Sequence, residues 1–128
     1  MPAGRPERGG ADRGQAAVEL ALALPLVFVV LLAAVQVLLV GRDQLAVIPA
    51  AREGARAAAV AADAGGEGTS AARAASGLDG PRLAVSVTDD GTKVRVVVRY
   101  RAPTDVPLVG AFVGDVTVTG TATMRVEP

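Results

Sequence analysis

A chain of 128 residues has room for one small domain beside a membrane segment, and not for two enzyme-sized domains. Its thirteen basic and thirteen acidic residues cancel, which argues against a broad electrostatic attraction to nucleic acid, and with 51% apolar but only 2% aromatic residues any soluble core must be aliphatic and thin. Cys and His are absent, which excludes disulfides, thiolate metal sites and lipoprotein anchoring and removes the commonest general base and metal ligand.

Residues 1–13 are rich in Pro, Gly, Arg and Asp without apolar periodicity, and are expected to be disordered. Gly14 closes this basic leader. The run 20–41 then holds 22 residues without a formal charge, mostly Leu, Val and Ala. As a helix it reaches roughly 33 Å, enough for a hydrocarbon core of about 30 Å. Pro25 removes one backbone hydrogen bond and should bend the axis, which a membrane helix tolerates. Gln36 interrupts the run near its distal end, where an interfacial polar group costs little. A secretory signal is the competing explanation, but its apolar core is shorter and is followed by a small-residue cleavage site, whereas Arg42-Asp43-Gln44 follows here. Arg5, Arg8 and Arg13 precede the span and Arg42, Arg52 and Arg56 follow it, so charge alone barely orients it. The motif around Gly14 places the N-terminus on the cytoplasmic side.

The helix is expected to continue over 41–62. Leu45, Ile48, Ala51/Arg52, Ala55, Ala59 and Ala62 recur at spacings of three and four, and Pro49 is a second expected bend. Ala50, Gly54 and Ala58 form a small-xxx-small series that lets another backbone approach, although an alanine-rich helix also follows from propensity alone. Residues 63–68 read as a Gly-rich break. Thr69 or Ser70 is expected to cap a short helix through Ser76, ended by Gly77. Residues 78–82 are turn material.

Residues 83–100 predict a hairpin of two alternating strands. With Asp90-Gly91 as a two-residue type I′ turn, Val87 faces Val94, Val85 faces Val96 and Leu83 faces Val98, putting both apolar sets on one face. Residues 101–115 read as an irregular connection with an apolar tip, with room for a brief helical turn. Residues 116–126 alternate again as a third strand, whose Gly120 and Ala122 leave space for a close neighbour, expected to be the helix after the membrane. A three-stranded sheet with one apolar face needs a cover, and 41–62 is the one amphipathic helix long enough. The expected fold is α+β: a long N-terminal membrane-spanning helix continuing into an amphipathic helix packed on a small antiparallel three-stranded sheet. The segments are a basic leader at 1–14, a transmembrane helix at 15–41 and a small extracytoplasmic domain at 42–128.

Function concentrates at Gly14, Gln15 and Glu19. A protease that cuts just before a membrane helix needs an accessible junction, and glycine lets catalytic groups reach the backbone. Scission after Gly14 would make Gln15 the new N-terminus, four residues from Glu19 and on the same side of the first turn. A carboxylate at the edge of an apolar helix is unfavourable, and an amine offsets that, from its own chain or from a neighbouring subunit. The plainer account of Glu19, an acid favoured near a helix N-terminus, does not explain the preceding Arg13-Gly14. Arg52, Glu53, Gly54 and Arg56 are candidates for helix packing or partner contact, against the simpler expectation of a surface ion pair at Glu53. Asp89 and Asp90 are explained by a turn, and no metal or cofactor is expected. Ser70, Ser76 and Ser86 have no histidine to activate them and no phosphate-binding loop is present, so an enzyme is not expected.

The segment from Arg13-Gly14-Gln15-Ala16-Ala17-Val18-Glu19 through Leu26, with Ala50-Ala51-Arg52-Glu53-Gly54-Ala55-Arg56-Ala57 and the closing strand from Val118 to Glu127, resembles the TadE family of minor pilins (pseudopilins). Members commonly carry Phe after the glutamate and a Glu-Phe pair late in the helix, where this chain has Leu20 and Gln36-Val37. The resemblance implies cutting after Gly14 by a prepilin peptidase, pilin and Tad assembly proteins as partners, and a role in Flp (tight adherence) pilus assembly or secretion. It also implies a single-pass place in the bacterial cytoplasmic membrane, with the domain outside. The alternative is an unprocessed single-pass protein whose sheet domain binds an envelope partner.

Overall fold

A computed structural model describes Gly4 and residues 9–78 and 80–128 of the chain. Half of the basic leader, residues 1–3 and 5–8, lies outside the described residues, and the expectation of disorder there lies outside them too. Over residues 9–13 that expectation is overturned. Helix α1 (Gly9–Val60) begins in the leader and runs without interruption through Gly14, Pro25 and Pro49. At about 1.5 Å per residue, its 52 residues extend roughly 78 Å.

The two halves of α1 have different surroundings. Over the uncharged run, Leu22, Leu26, Phe28 and Leu38 project outward with more than half their surface exposed, and only 6% of the most apolar window is buried. An apolar surface of that extent is not stable in water. By length and composition α1 could cross a membrane, and it is the one such helix among the described residues. The distal half turns a stripe of Val47, Ala50, Ala51, Gly54, Ala55, Ala58 and Ala59 into the core. Of the expected stripe, Ala51, Ala55 and Ala59 are buried, whereas Leu45 is 73% exposed and Ala62 lies beyond the helix. The periodicity holds through the middle of this half, and its ends are set by what the helix lands on.

Helix α2 (Ala64–Ser76) starts earlier than Thr69. Asp63 is its N-cap, accepting the Gly66 amide at 3.0 Å, so the glycine-rich stretch read as a break is the first turn of the helix. Gly77, at φ 60°, ends it as expected. A 3-10 turn (Gly80–Arg82) leads into the strands β1 (Leu83–Asp89), β2 (Lys93–Ala102) and, after the short helix α3 (Val109–Phe112), β3 (Val116–Arg125). The sheet is antiparallel in the order β1-β2-β3.

The hairpin register differs from the expected one by two residues. Asp89 pairs with Val94, Val87 with Val96, Val85 with Val98 and Leu83 with Tyr100. The turn sits one residue later because the Asp90 carboxylate accepts the amides of Thr92 at 2.9 Å and Lys93 at 2.6 Å, making Gly91-Thr92 the central pair. Positive φ occurs at Gly91 and not at Thr92, the pattern of a type II′ turn rather than I′. A shift of two leaves the facing unchanged, so Val94, Val96 and Val98 still point inward and are fully buried.

Both α1 and α2 cover that face, not the distal half of α1 alone. A Cβ added at Gly54 would meet the Gly68 carbonyl oxygen at 2.8 Å and the Ala72 methyl at 2.9 Å, so the small-residue series on α1 receives α2. Gly120 admits the backbone of α1 itself, at Val47 and Ile48, as its sequence position suggested. The Glu127 amide then donates to the Ala59 carbonyl at 3.1 Å, satisfying one free acceptor at the C-terminal end of α1.

Candidate functional site

Gly14, Gln15 and Glu19 occupy successive turns of α1 just ahead of the exposed apolar run, and all three face outward. Nothing lies within 4 Å of where a Cβ on Gly14 would stand. The Gln15 Nε2 donates to Glu19 Oε1 at 3.5 Å across the four-residue spacing. The carboxylate thus already leans toward the residue whose nitrogen would become an amine on scission between Gly14 and Gln15. The junction is helical rather than extended, so a peptidase would have to unwind this turn. Gly9, Gly10 and Gly14 weaken the helix here, since a helical glycine is weaker than alanine by roughly 0.5–1 kcal/mol.

The four candidates further along α1 separate. Gly54 is buried against α2, whereas Arg52, Glu53 and Arg56 are exposed on the opposite side. No ion pair joins Glu53 to either arginine, so the expected surface pair is not formed.

The sequence predicts Gln36 to be an interfacial side chain that costs little. It is instead only 5% exposed, and its Nε2 donates to the Pro103 carbonyl at 3.4 Å, while its Oε1 has no partner among the described residues. Gln44, two turns on, donates to the Thr119 carbonyl at 3.0 Å. Two amides therefore tie α1 to the β2–β3 region where it leaves the apolar run. A glutamine inside a charge-free run was the available signal, and its meaning depended on a loop 67 residues away.

The outer face of β2 is basic: Lys93, Arg95, Arg99 and Arg101 alternate with the inward valines and are exposed. Arg99, Arg101, Arg82 and Asp115 border a shallow pocket of about 430 Å³. Arg82 and Asp115 pair at 3.6 Å. Among the described residues no three acidic, His or Cys groups lie together as metal ligands would. At the hairpin tip, the amides of Lys93 first and Thr92 second hold the Asp90 carboxyl below its ordinary range.

With this geometry in place, residues 14–56 match the model of the family described as TadE-like protein. The matched segment opens at Gly14, takes in Glu19 and the whole apolar run, and closes at Arg56 on the buried half of α1. The match makes that segment similar to the family and is consistent with a TadE-like protein. No curated protein and no solved structure matches the chain.

Proposed function

We propose that this chain is a minor pilin or pseudopilin of the Tad (Flp) system, anchored in the bacterial cytoplasmic membrane by α1 and cut after Gly14 by a prepilin peptidase. The N-terminus faces the cytoplasm and the sheet domain lies outside. The observation that carries the proposal is the contact of Gln15 with Glu19 at the head of an exposed apolar helix, inside the segment that matches the TadE-like family. Removing the leader leaves the Gln15 side-chain amide in place and turns the Gln15 backbone nitrogen into a cationic amine near Glu19, and charge-assisted contacts are about twice as strong as neutral ones. Glu19 then sets the register of this helix against other pilin subunits, its carboxylate meeting its own amine or a neighbour's. That role requires no catalytic group.

N-terminal sequencing of membrane-extracted protein, from cells with and without the peptidase, tests the proposal. A mature chain beginning at Gln15 in the first and an intact leader in the second are expected. Gly14→Val should keep the leader in both, because a branched side chain obstructs the junction. An intact leader in cells that carry an active peptidase overturns the proposal.

The helical state of Gly14 favours a second reading, an unprocessed anchor whose sheet domain binds an envelope partner. Glu19→Gln separates the two: a simple anchor keeps its localisation and partner, whereas a pilin loses assembly.

A further inference from the structure

The connection between β2 and β3 carries apolar side chains that the protein itself does not cover. Leu108 is 55% exposed, Phe112 88% and Val113 44%. The stretch 106–114 is uncharged and bracketed by Asp105 and Asp115. Phe112, one of three aromatic residues in the chain, stands out with Leu108 and Val113 in one apolar patch, the kind that marks an interaction site.

The loop's place along α1 identifies that partner. Residues 20–41 are centred near position 30, and a half-thickness of about 15 Å at about 1.5 Å per residue puts the edge of the hydrocarbon near position 40. The tip lies alongside α1 on the lipid side of that edge: Val37 and Val40 of α1 and Val109, Val113 and Val116 line one groove of about 270 Å³. Above it, Asp43 of α1 and Asp105 of the loop border a separate depression beside Tyr100. Helix and loop thus change from charged to apolar at the same level, although they are far apart in sequence. Leu108 adopts φ 68° with its side chain outward, a conformation uncommon for leucine that no burial within the protein rewards.

We propose that the 108–113 tip inserts into the acyl region of the leaflet nearer the sheet domain, so that the domain sits on the bilayer through two contacts instead of hanging from α1 alone. The inference rests on the reading of α1 as a membrane span. Phe112 and Leu108 enter the acyl boundary, and Asp105 and Asp115 stay with the headgroups and water. The geometry is that of an interfacial anchor rather than of a second span.

The chain has no Trp, so single tryptophans report without background. Phe112→Trp, Leu31→Trp and Val60→Trp are placed separately in the full chain. Each is reconstituted in phosphatidylcholine–phosphatidylglycerol vesicles, with or without bromine on the acyl chains. These positions are exposed within the protein, so each variant should keep the fold, which circular dichroism checks. Strong quenching at positions 31 and 112 and none at 60 is the expected result. Quenching at 31 without quenching at 112 overturns the inference and leaves the span intact. If the emission at 112 is then also blue-shifted, the tip is covered by protein, as a second copy would cover it, and the lipid assignment is equally overturned. No quenching at 31 removes the span and the inference with it.

Discussion

At Gly120 and Gly54 a missing Cβ is what allows α1 to lie on its neighbours. An added methyl at Gly120 would press on the Val47 carbonyl, and one at Gly54 on the Gly68 carbonyl and the Ala72 methyl. Backbone atoms in a packed core cannot retreat, so Gly120→Ala and Gly54→Ala should each destabilise the domain by about 1–3 kcal/mol in denaturant titrations. Gly41, also in α1, has nothing within 4 Å, and Gly41→Ala should move the midpoint the other way, by roughly 0.5–1 kcal/mol. The same substitution in one helix thus has opposite signs, decided by the neighbour. Asp90 gives a prediction in pH. Its carboxyl is held below the ordinary value by the Lys93 and Thr92 amides. Its contribution to the hairpin is therefore complete above the unfolded carboxylate pKa of about 3.9, and is lost as pH falls through the lower folded value. An NMR titration should place the Asp90 midpoint below the ordinary aspartate value of about 3.9, and Asp90→Asn should abolish the corresponding loss of hairpin structure in acid.

Elements in this chain were legible wherever their cause is local, and displaced wherever a distant contact decides. The three strands followed from alternation, and their facing survived a register error because the error was an even number of residues. The error came from treating Asp90 as a central turn residue when its carboxylate accepts two later amides. The start of α2 was missed for a related reason. Glycines 65, 66 and 68 suggested a break, yet Asp63 caps the helix and Gly68 is required at the crossing with α1. Asp63→Ala should therefore cost about 0.5–2 kcal/mol and shorten α2, seen as lost amide protection over its first turn in hydrogen exchange. At the candidate site, the proximity of Gln15 and Glu19 was legible because it spans one helical turn. The burial of Gln36 was not, since it depends on Pro103, and neither was the failure of Glu53 to pair, which sequence spacing permits and solvent exposure leaves unrewarded.

At the scale of the whole molecule, α1 is both the apolar span and the spine of the domain, but its two halves serve different environments. The core cluster begins at Val47, with Val40 packed against its margin, and no described residue before Gln36 is buried against the sheet domain. Residues 41–128 keep the contact of Gln44 with Thr119, the α1–α2 crossing and every strand pairing. A fragment of that length should therefore unfold cooperatively in urea. It should not remain monomeric, because removing the first part of α1 also strips one wall from the groove beside α3 and leaves Leu108 and Phe112 wholly in water. Sedimentation should show self-association that weakens with Phe112→Ser while the urea midpoint stays within about 0.5 kcal/mol of the parent, as expected for a surface change. Association that is indifferent to Phe112→Ser would assign the contact to the cut end of α1. A fall in the midpoint would mean that Phe112 supports the fold. Unchanged stability with lost association is the outcome that follows from a tip whose partner lies outside the domain.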